Sequence, residues 1–257
     1  MKKFKYFLSL LLLLLIFTNV SEAFAMNTGF SVTDSFSDEE KKHIIKTSNV
    51  KLLKEEPVKE SIQCFDVNKD DLIAIGTKNI SNIYYIGIYN SNGIFQYGYS
   101  FIDSGSFGIE FDNENIIIYF VRSDIVMSVN PNGDVLEIAK VDNTMENNTY
   151  ANYLLSPRER VSGNNKYIPK NDMGIFNLFV GQLSYSQLVK TDELNNQTIL
   201  YDVNNKSFAK TLMFFIVVLL IFATAVIVLT KLTIKSVKQY NQEQQRIIKN
   251  TGNSSLS

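Results

Sequence analysis

The sequence predicts an all-β ectodomain, an antiparallel meander of four-stranded units, joined to one transmembrane helix near its C-terminal end. Three observations predict it. Residues 211–230 are apolar and uncharged, a basic and leucine-rich leader opens the chain, and the stretch between alternates short runs of Ile, Val, Phe and Tyr with polar turns. β-branched and aromatic residues suit the pleated, half-buried surface of a strand, whereas Asn, Asp and Gly suit the turns between strands.

The span TLMFFIVVLLIFATAVIVLT at 211–230 has 20 residues without a charge or a proline. At about 1.5 Å per residue it matches a hydrocarbon core roughly 30 Å thick. It is read as a transmembrane helix in contact with the lipid bilayer. Residues 1–25 read as a signal peptide instead. Lys2, Lys3 and Lys5 form its basic start, residues 7–17 a short apolar core, and Ala23-Phe24-Ala25 offers the small residues a signal peptidase accepts. Cleavage is expected between Ala25 and Met26, an uncleaved signal anchor being the alternative.

Charge sets the orientation. Beyond the span, Lys231, Lys235, Lys238, Arg246 and Lys249 face a single acid, Glu243, and such basic flanks stay in the cytoplasm. With a leader at the other end, the expectation is a single-pass type I protein of the cell membrane, its N-terminal domain extracellular and its tail, 231–257, cytoplasmic. Residues 26–209 carry 16 Lys and Arg against 24 Asp and Glu. That acidic balance argues against nucleic acid, which requires basic patches. One cysteine, Cys64, cannot form an internal disulfide, so about 184 residues must hold together through their own core. A secreted domain without disulfide staples, rich in Asn, Lys and Ile and lacking Trp, is the composition expected of a bacterial chain.

Residues 26–60 read as a spacer. Within it Ser37 followed by Glu40 forms a capping box that opens a short helix through Lys46. The β-rich extracellular domain is expected at 61–203, with strands at 62–67, 71–77, 82–89, 94–101, 107–111, 115–121, 125–129 and 135–141. Fainter strands follow at 166–169, 174–181, 185–190 and 197–203, and 143–163 reads as an irregular link. Residues 204–210 are left before the bilayer, which places the folded mass close to the membrane.

The turns repeat. Asn90-Ser91-Asn92-Gly93 and Asn130-Pro131-Asn132-Gly133 lie 40 residues apart, each between two strands, with Asn and Gly supplying the positive φ that a tight hairpin needs. The preceding segments align as well, CFDVNKDDLIAIG on IEFDNENIIIYFV. A fainter third copy is QLVKTDELNNQTILYD, with Asn195-Asn196 in place of Asn-Gly. A period near 40 residues holding four strands resembles a β-propeller blade. The resemblance covers about 61–203 and lacks the Trp-Asp and Gly-His marks of the best-known propeller repeat. Three blades do not close a ring, so the resemblance implies either an open stack of sheets or closure against a second copy as a homodimer. An ordinary antiparallel sandwich with two similar hairpins is the competing expectation.

Chemistry-bearing residues are sparse. His43 is the single histidine and lies on the charged helix of the spacer, whereas Cys64 sits among Ile62, Phe65 and Val67 as a small buried hydrophobe would. Asp66-Val-Asn68-Lys-Asp70-Asp71 starts like a calcium loop but has Asp71 where glycine is needed and Thr77 where a bidentate glutamate is needed. A turn is the simpler expectation. Asp103, Glu110, Asp112 and Glu114 read as solvated turn carboxylates, not as a glycosidase pair at defined separation. Tyr84, Tyr85, Tyr89, Phe95, Tyr97, Tyr99, Phe101, Phe107, Tyr119 and Phe120 crowd the first two repeats, and some are expected at the surface, where tyrosine binds glycans or peptides well.

No catalytic residue, cofactor or metal site is therefore expected. The tail is too short for an enzymatic domain, although Ile234, Val237, Asn241, Gln244 and Ile248 are spaced as a weak helical seam, and the final TGNSSLS reads as disordered. The expectation is a membrane-anchored surface protein whose non-catalytic ectodomain binds a protein partner in or near the same membrane. The alternative is a sensor or accessory subunit of a membrane signalling or transport complex.

Overall fold

The computed structural model describes residues 26–78, 82–156, 158–172, 174, 177 and 185–253. The expected signal peptide and most of the expected strand at 174–181 lie outside the described residues. The described residues up to Asn204 form one compact unit, and those from Asn205 onward a second.

The first unit holds three antiparallel sheets. Sheet I is a meander of β3 (Ile62–Val67), β4 (Ile73–Lys78), β5 (Ile83–Tyr89) and β6 (Phe95–Ile102), with β2 (Lys51–Leu53) added outside β6. Sheet II repeats the plan with β7 (Phe107–Asp112), β8 (Asn115–Phe120), β9 (Ile125–Val129) and β10 (Val135–Val141), and β1 (Val32–Thr33) outside β10. Sheet III is the meander of β11 (Arg160–Ser162), β12 (Asn165–Lys170), β13 (Gln187–Thr191) and β14 (Gln197–Asp202). No sheet is closed.

Two of the cores lie between sheets. Tyr84, Ile86, Tyr99 and Phe101 of sheet I pack on Phe107, Ile109, Ile116, Ile118 and Met127 of sheet II. The other face of sheet I, through Ile62, Phe65, Ile73 and Tyr89, meets Tyr167, Leu188, Leu200 and Tyr201 of sheet III. Sheet I is buried on both faces, which is why β4 and β5 read as nearly continuous apolar runs instead of alternating. The outward face of sheet II, formed by Ile117, Tyr119, Val126, Ala139 and Val141, is covered by Met26, Phe30, Ala151 and Leu154.

The crowded aromatics are therefore mostly core. Tyr84 and Tyr99 are fully buried, Tyr89, Phe101, Phe107, Tyr119 and Phe120 nearly so, and Tyr85, Phe95 and Tyr97 are half-buried. The expected surface display gives way because three sheets bury both faces of sheet I.

Residues 26–60 are woven into the body. Val32–Thr33 pairs with β10 and Lys51–Leu53 with β6. Between them α1 (Asp38–Ser48) begins as its capping box requires, the Ser37 amide donating to the Glu40 carboxylate at 2.8 Å and the Ser37 hydroxyl accepting from the Glu40 amide. It ends at Asn49, whose φ of 48° takes the left-handed cap conformation.

The link at 143–163 is a correction: it contains α2 (Met145–Leu155) and β11. The inward face of α2 is Asn147, Ala151 and Leu154, so its helical period is hidden by a polar residue. Thr144 caps it by accepting from the Asn147 amide at 3.1 Å.

The three repeat turns share one geometry. Asn90 accepts from the amides of Asn92 and Ile94, Asn130 from those of Asn132 and Asp134, and Asp192 from those of Leu194 and Asn196. The left-handed position is taken by Gly93 (φ 75°), Gly133 (φ 88°) and Asn195 (φ 63°). The third copy is thus aligned one residue differently from the sequence reading: Asp192 replaces the leading Asn, and Asn195 alone replaces Gly.

The second unit is a helix. Together with Asn204 it forms α3 (Asn204–Asn253), 50 residues long, with residues 204–242 long and apolar enough to cross a membrane. No glycine or proline interrupts it before Gly252, so the expected linker at 204–210 and residues 251–253 of the expected disordered end are helical as well. Residues 254–257 lie outside the described residues.

Candidate functional site

The polar density of the first unit lies where the first strands of sheets I and II meet the cover of sheet II. Strand alternation on β7 turns Phe107 and Ile109 toward sheet I, and therefore Gly108, Glu110 and Asp112 toward the cover. Gly108 lets α2 approach, since a Cβ there would stand 3.0 Å from that of Leu154.

Glu110 and Asp112 are 7% and 4% exposed, which corrects their reading as solvated turn residues. Glu110 accepts hydrogen bonds from the hydroxyls of Thr28 and Tyr150, and Asp112 accepts from the Asn27 amide at 2.9 Å. Burial pushes the Glu110 carboxyl up from its ordinary range, against the opposing pull of those hydroxyls. Burial likewise raises the Tyr150 phenol, aided by the Glu110 carboxylate. Of the other two predicted carboxylates, Asp103 is half-buried and accepts from the Gly105 amide at 3.2 Å, and Glu114 is exposed.

Asp66 on β3 accepts from the Phe111 amide of β7 at 2.8 Å and from Nε of Arg160 at 3.2 Å. Burial raises its carboxyl, with the Phe111 amide and the Arg160 charge working in the opposite direction. The Arg160 guanidinium is 5% exposed and lies 4.1 Å from the Tyr153 ring centre and 5.5 Å from that of Phe65. One buried cation thereby joins sheets I and III and α2, and Asp66 carries the link on to sheet II. Sequence reasoning overlooked Arg160, Tyr150 and Tyr153 because the helix that brings them together was not apparent.

The remaining candidates are placed apart. Cys64 is fully buried, its thiol pushed up by desolvation, whereas His43 is exposed on α1. A thiolate nucleophile requires an accessible sulfur and a neighbouring base, and this pair supplies neither. The 66–71 loop is a turn: Asn68 accepts from the amides of Asp70 and Leu72 at 2.9 Å, and Asp71 accepts from the Tyr167 hydroxyl at 3.0 Å. Among the described residues no three acids, cysteines or histidines are grouped as metal ligands.

Surface hollows lie among the described residues as well. One, about 460 Å³, lies between α1 and the ends of sheets I and II, near Ile44, Ile102 and Phe120. Another, about 540 Å³, is an open groove lined by Gly29, Met145, Glu146, Thr149, Tyr150 and Tyr153. Its floor is the stacked pair Tyr150 and Tyr153, 5.8 Å apart at 28°. Met145 is 80% and Tyr153 50% exposed. The groove thus combines a rigid aromatic platform, a pliable thioether and an acid, which suits recognition of a peptide surface. Comparison of the sequence with protein-family models and with curated proteins finds no match.

Proposed function

We propose that this chain is a single-pass membrane protein whose non-catalytic ectodomain binds a protein partner in or near the same membrane. Cleavage after Ala25 leaves Met26 as the outer terminus, the ectodomain is extracellular, and the basic tail is cytoplasmic. The groove over Tyr150 and Tyr153 is the binding surface. The observation that carries this reading is the exposure of Met145 and Tyr153 beside a fixed Tyr150, since tyrosine and methionine are enriched at protein interfaces. Glu146 and the acidic balance of the ectodomain favour a partner segment with apolar and basic side chains.

The three sheets are three propeller-blade-like units in an open stack. Each is a four-stranded meander with the same Asx-stabilised turn between its last two strands. Ring closure by a second copy requires a free end face on sheet II, and that face is occupied by Met26, Phe30, Ala151 and Leu154. This occupancy supports the stack over the six-bladed homodimer.

A second reading, an accessory subunit of a membrane signalling or transport complex, draws support from α3. Its helix continues past the apolar span, and Ile234 and Val237 are about half exposed on it. A photo-crosslinking residue at position 153 of the full chain in its own membrane tests the groove, with exposed Leu194 as control. A discrete protein adduct from position 153 and none from 194 supports it. Equal adducts from both, or none from either, contradicts it.

A further inference from the structure

Residues 26–28 lie over a row of acids. The pairing of Glu137 with Ser128, Ser128 with Ile117, and Ile117 with Glu110 sets these four side by side across β10, β9, β8 and β7. At about 4.8 Å per strand the two glutamates stand roughly 14 Å apart at their backbones, with Asp112 beside Glu110 on the same face. Successive residues of the N-terminal segment are then claimed in turn. The Met26 nitrogen donates to Glu137 Oε2 at 2.9 Å, the Asn27 amide to Asp112 at 2.9 Å, and the Thr28 hydroxyl to Glu110. The Met26 side chain is 7% exposed, and Phe30 anchors the segment between the rings of Tyr119 and Tyr150.

The arrangement lacks a cation. Among the described residues no Lys or Arg nitrogen forms an ion pair with Glu110, Asp112 or Glu137, and residues 26–33 contain neither Lys nor Arg. Lys41 of α1 senses the Glu137 charge from a distance, but its own ammonium is held 2.8 Å from Asp34. Three carboxyl groups on a covered face with hydrogen-bond donors but no cation are costly to ionise.

We propose that the α-ammonium released at Met26 by leader cleavage docks on Glu137, so that processing supplies the charge that completes the cover of sheet II. Water hydrolyses the Ala25–Met26 amide under catalysis by the signal peptidase. The leader leaves with the Ala25 carboxylate, and Met26 keeps the amine, which takes a proton to become the ammonium. A chain cut one or two residues earlier retains a neutral amide at Met26 and forms no such pair. The proposal rests on removal of the leader.

The test uses the full chain with its leader, extracted from membranes. Intact mass and the N-terminal peptide identify the first residue, expected to be Met26. Acylation of that amine by a small activated ester near neutral pH is then followed by mass spectrometry in wild type and Glu137→Gln. A carboxylate partner that raises the ammonium pKa by about one unit reduces the free amine about tenfold, so acylation is expected to be about tenfold faster in the variant. Circular dichroism checks that the variant is folded. Should it not fold, Glu137→Asp, which keeps the charge but withdraws it by one methylene, is expected to react at an intermediate rate. A different first residue overturns both the cleavage site and the ion pair. A Met26 amine that reacts equally fast in wild type and whichever variant folds overturns the ion pair alone.

Discussion

The Tyr99 hydroxyl of sheet I donates to the Asn130 carbonyl of sheet II across 2.8 Å. Asn130 opens the repeat turn of sheet II, so this bond ties the turn of one sheet to the last meander strand of its neighbour. The same relation recurs one sheet along, where the turn glycine Gly93 of sheet I packs against the Leu200 backbone of β14. Tyr201, six residues after Asn195 as Tyr99 is six after Gly93, donates to the Glu60 carbonyl at 2.8 Å. The turns thus close the edge of each sheet-to-sheet contact.

Tyr99→Phe is expected to destabilise the first unit by about 1 kcal/mol, because it removes this bond between sheets and leaves the Asn130 carbonyl only its turn bond from the Gly133 amide. At the size of this unit that corresponds to a fall in melting temperature of roughly 2–4 °C. Thermal unfolding followed by circular dichroism reads it. No change would show that the bond contributes nothing to the contact between sheets.

The three turn positions are expected to respond unequally to substitution. A Cβ at Gly93 would stand 2.4 Å from the Leu200 carbonyl oxygen, whereas at Gly133 the nearest atom is the Leu52 Cβ at 3.0 Å. Gly93→Ala is therefore expected to cost about 2–3 kcal/mol, combining left-handed strain with a backbone clash, and Gly133→Ala about 1 kcal/mol. Asn195→Gly is expected to stay within about 0.5 kcal/mol, since Asn already tolerates this conformation. Denaturant titrations of the three variants check the order.

Glu110 makes stability depend on pH in a stated direction. Its folded carboxyl lies above the ordinary value of 4.5 because it is buried. The folded state therefore holds the proton more tightly than the unfolded chain, and stability from this group is fully present below the unfolded value and lost as pH rises through the folded one. The stability of wild type minus that of Glu110→Gln is expected to grow as pH falls from 7 toward 4. A difference that is flat or shrinks over that window would mean that burial does not raise the Glu110 carboxyl in the folded state.

How much of this could be read from the sequence follows from where each element keeps its information. Strands β3 to β10 are rich in Ile, Val, Phe and Tyr between Asn and Gly turns, and all eight lie within a residue or two of the expected bounds. Their signal is local. The helix Met145–Leu155 was hidden because its inward face includes Asn147, whose amide side chain donates to the Ser31 and Asp142 carbonyls, partners 116 and 5 residues away. β11 was hidden for the same reason, since its buried residues are Arg160 and Ser162. The candidate groove was illegible because Glu110 becomes a buried acceptor only when Tyr150, 40 residues later, folds over it. Chemistry that depends on distant pairing leaves no pattern in a single stretch of chain.

The central claim is an outward-facing β-rich domain on a single membrane helix, and paired cysteine labelling in intact cells tests it most directly. Cys64 is fully buried and is expected to stay silent in the folded protein. Leu194→Cys, on the exposed turn of sheet III, is expected to react with a membrane-impermeant maleimide from outside, and Lys238→Cys, beyond the apolar span, only after the membrane is opened. Labelling of position 238 in intact cells, or protection of position 194, would contradict the account.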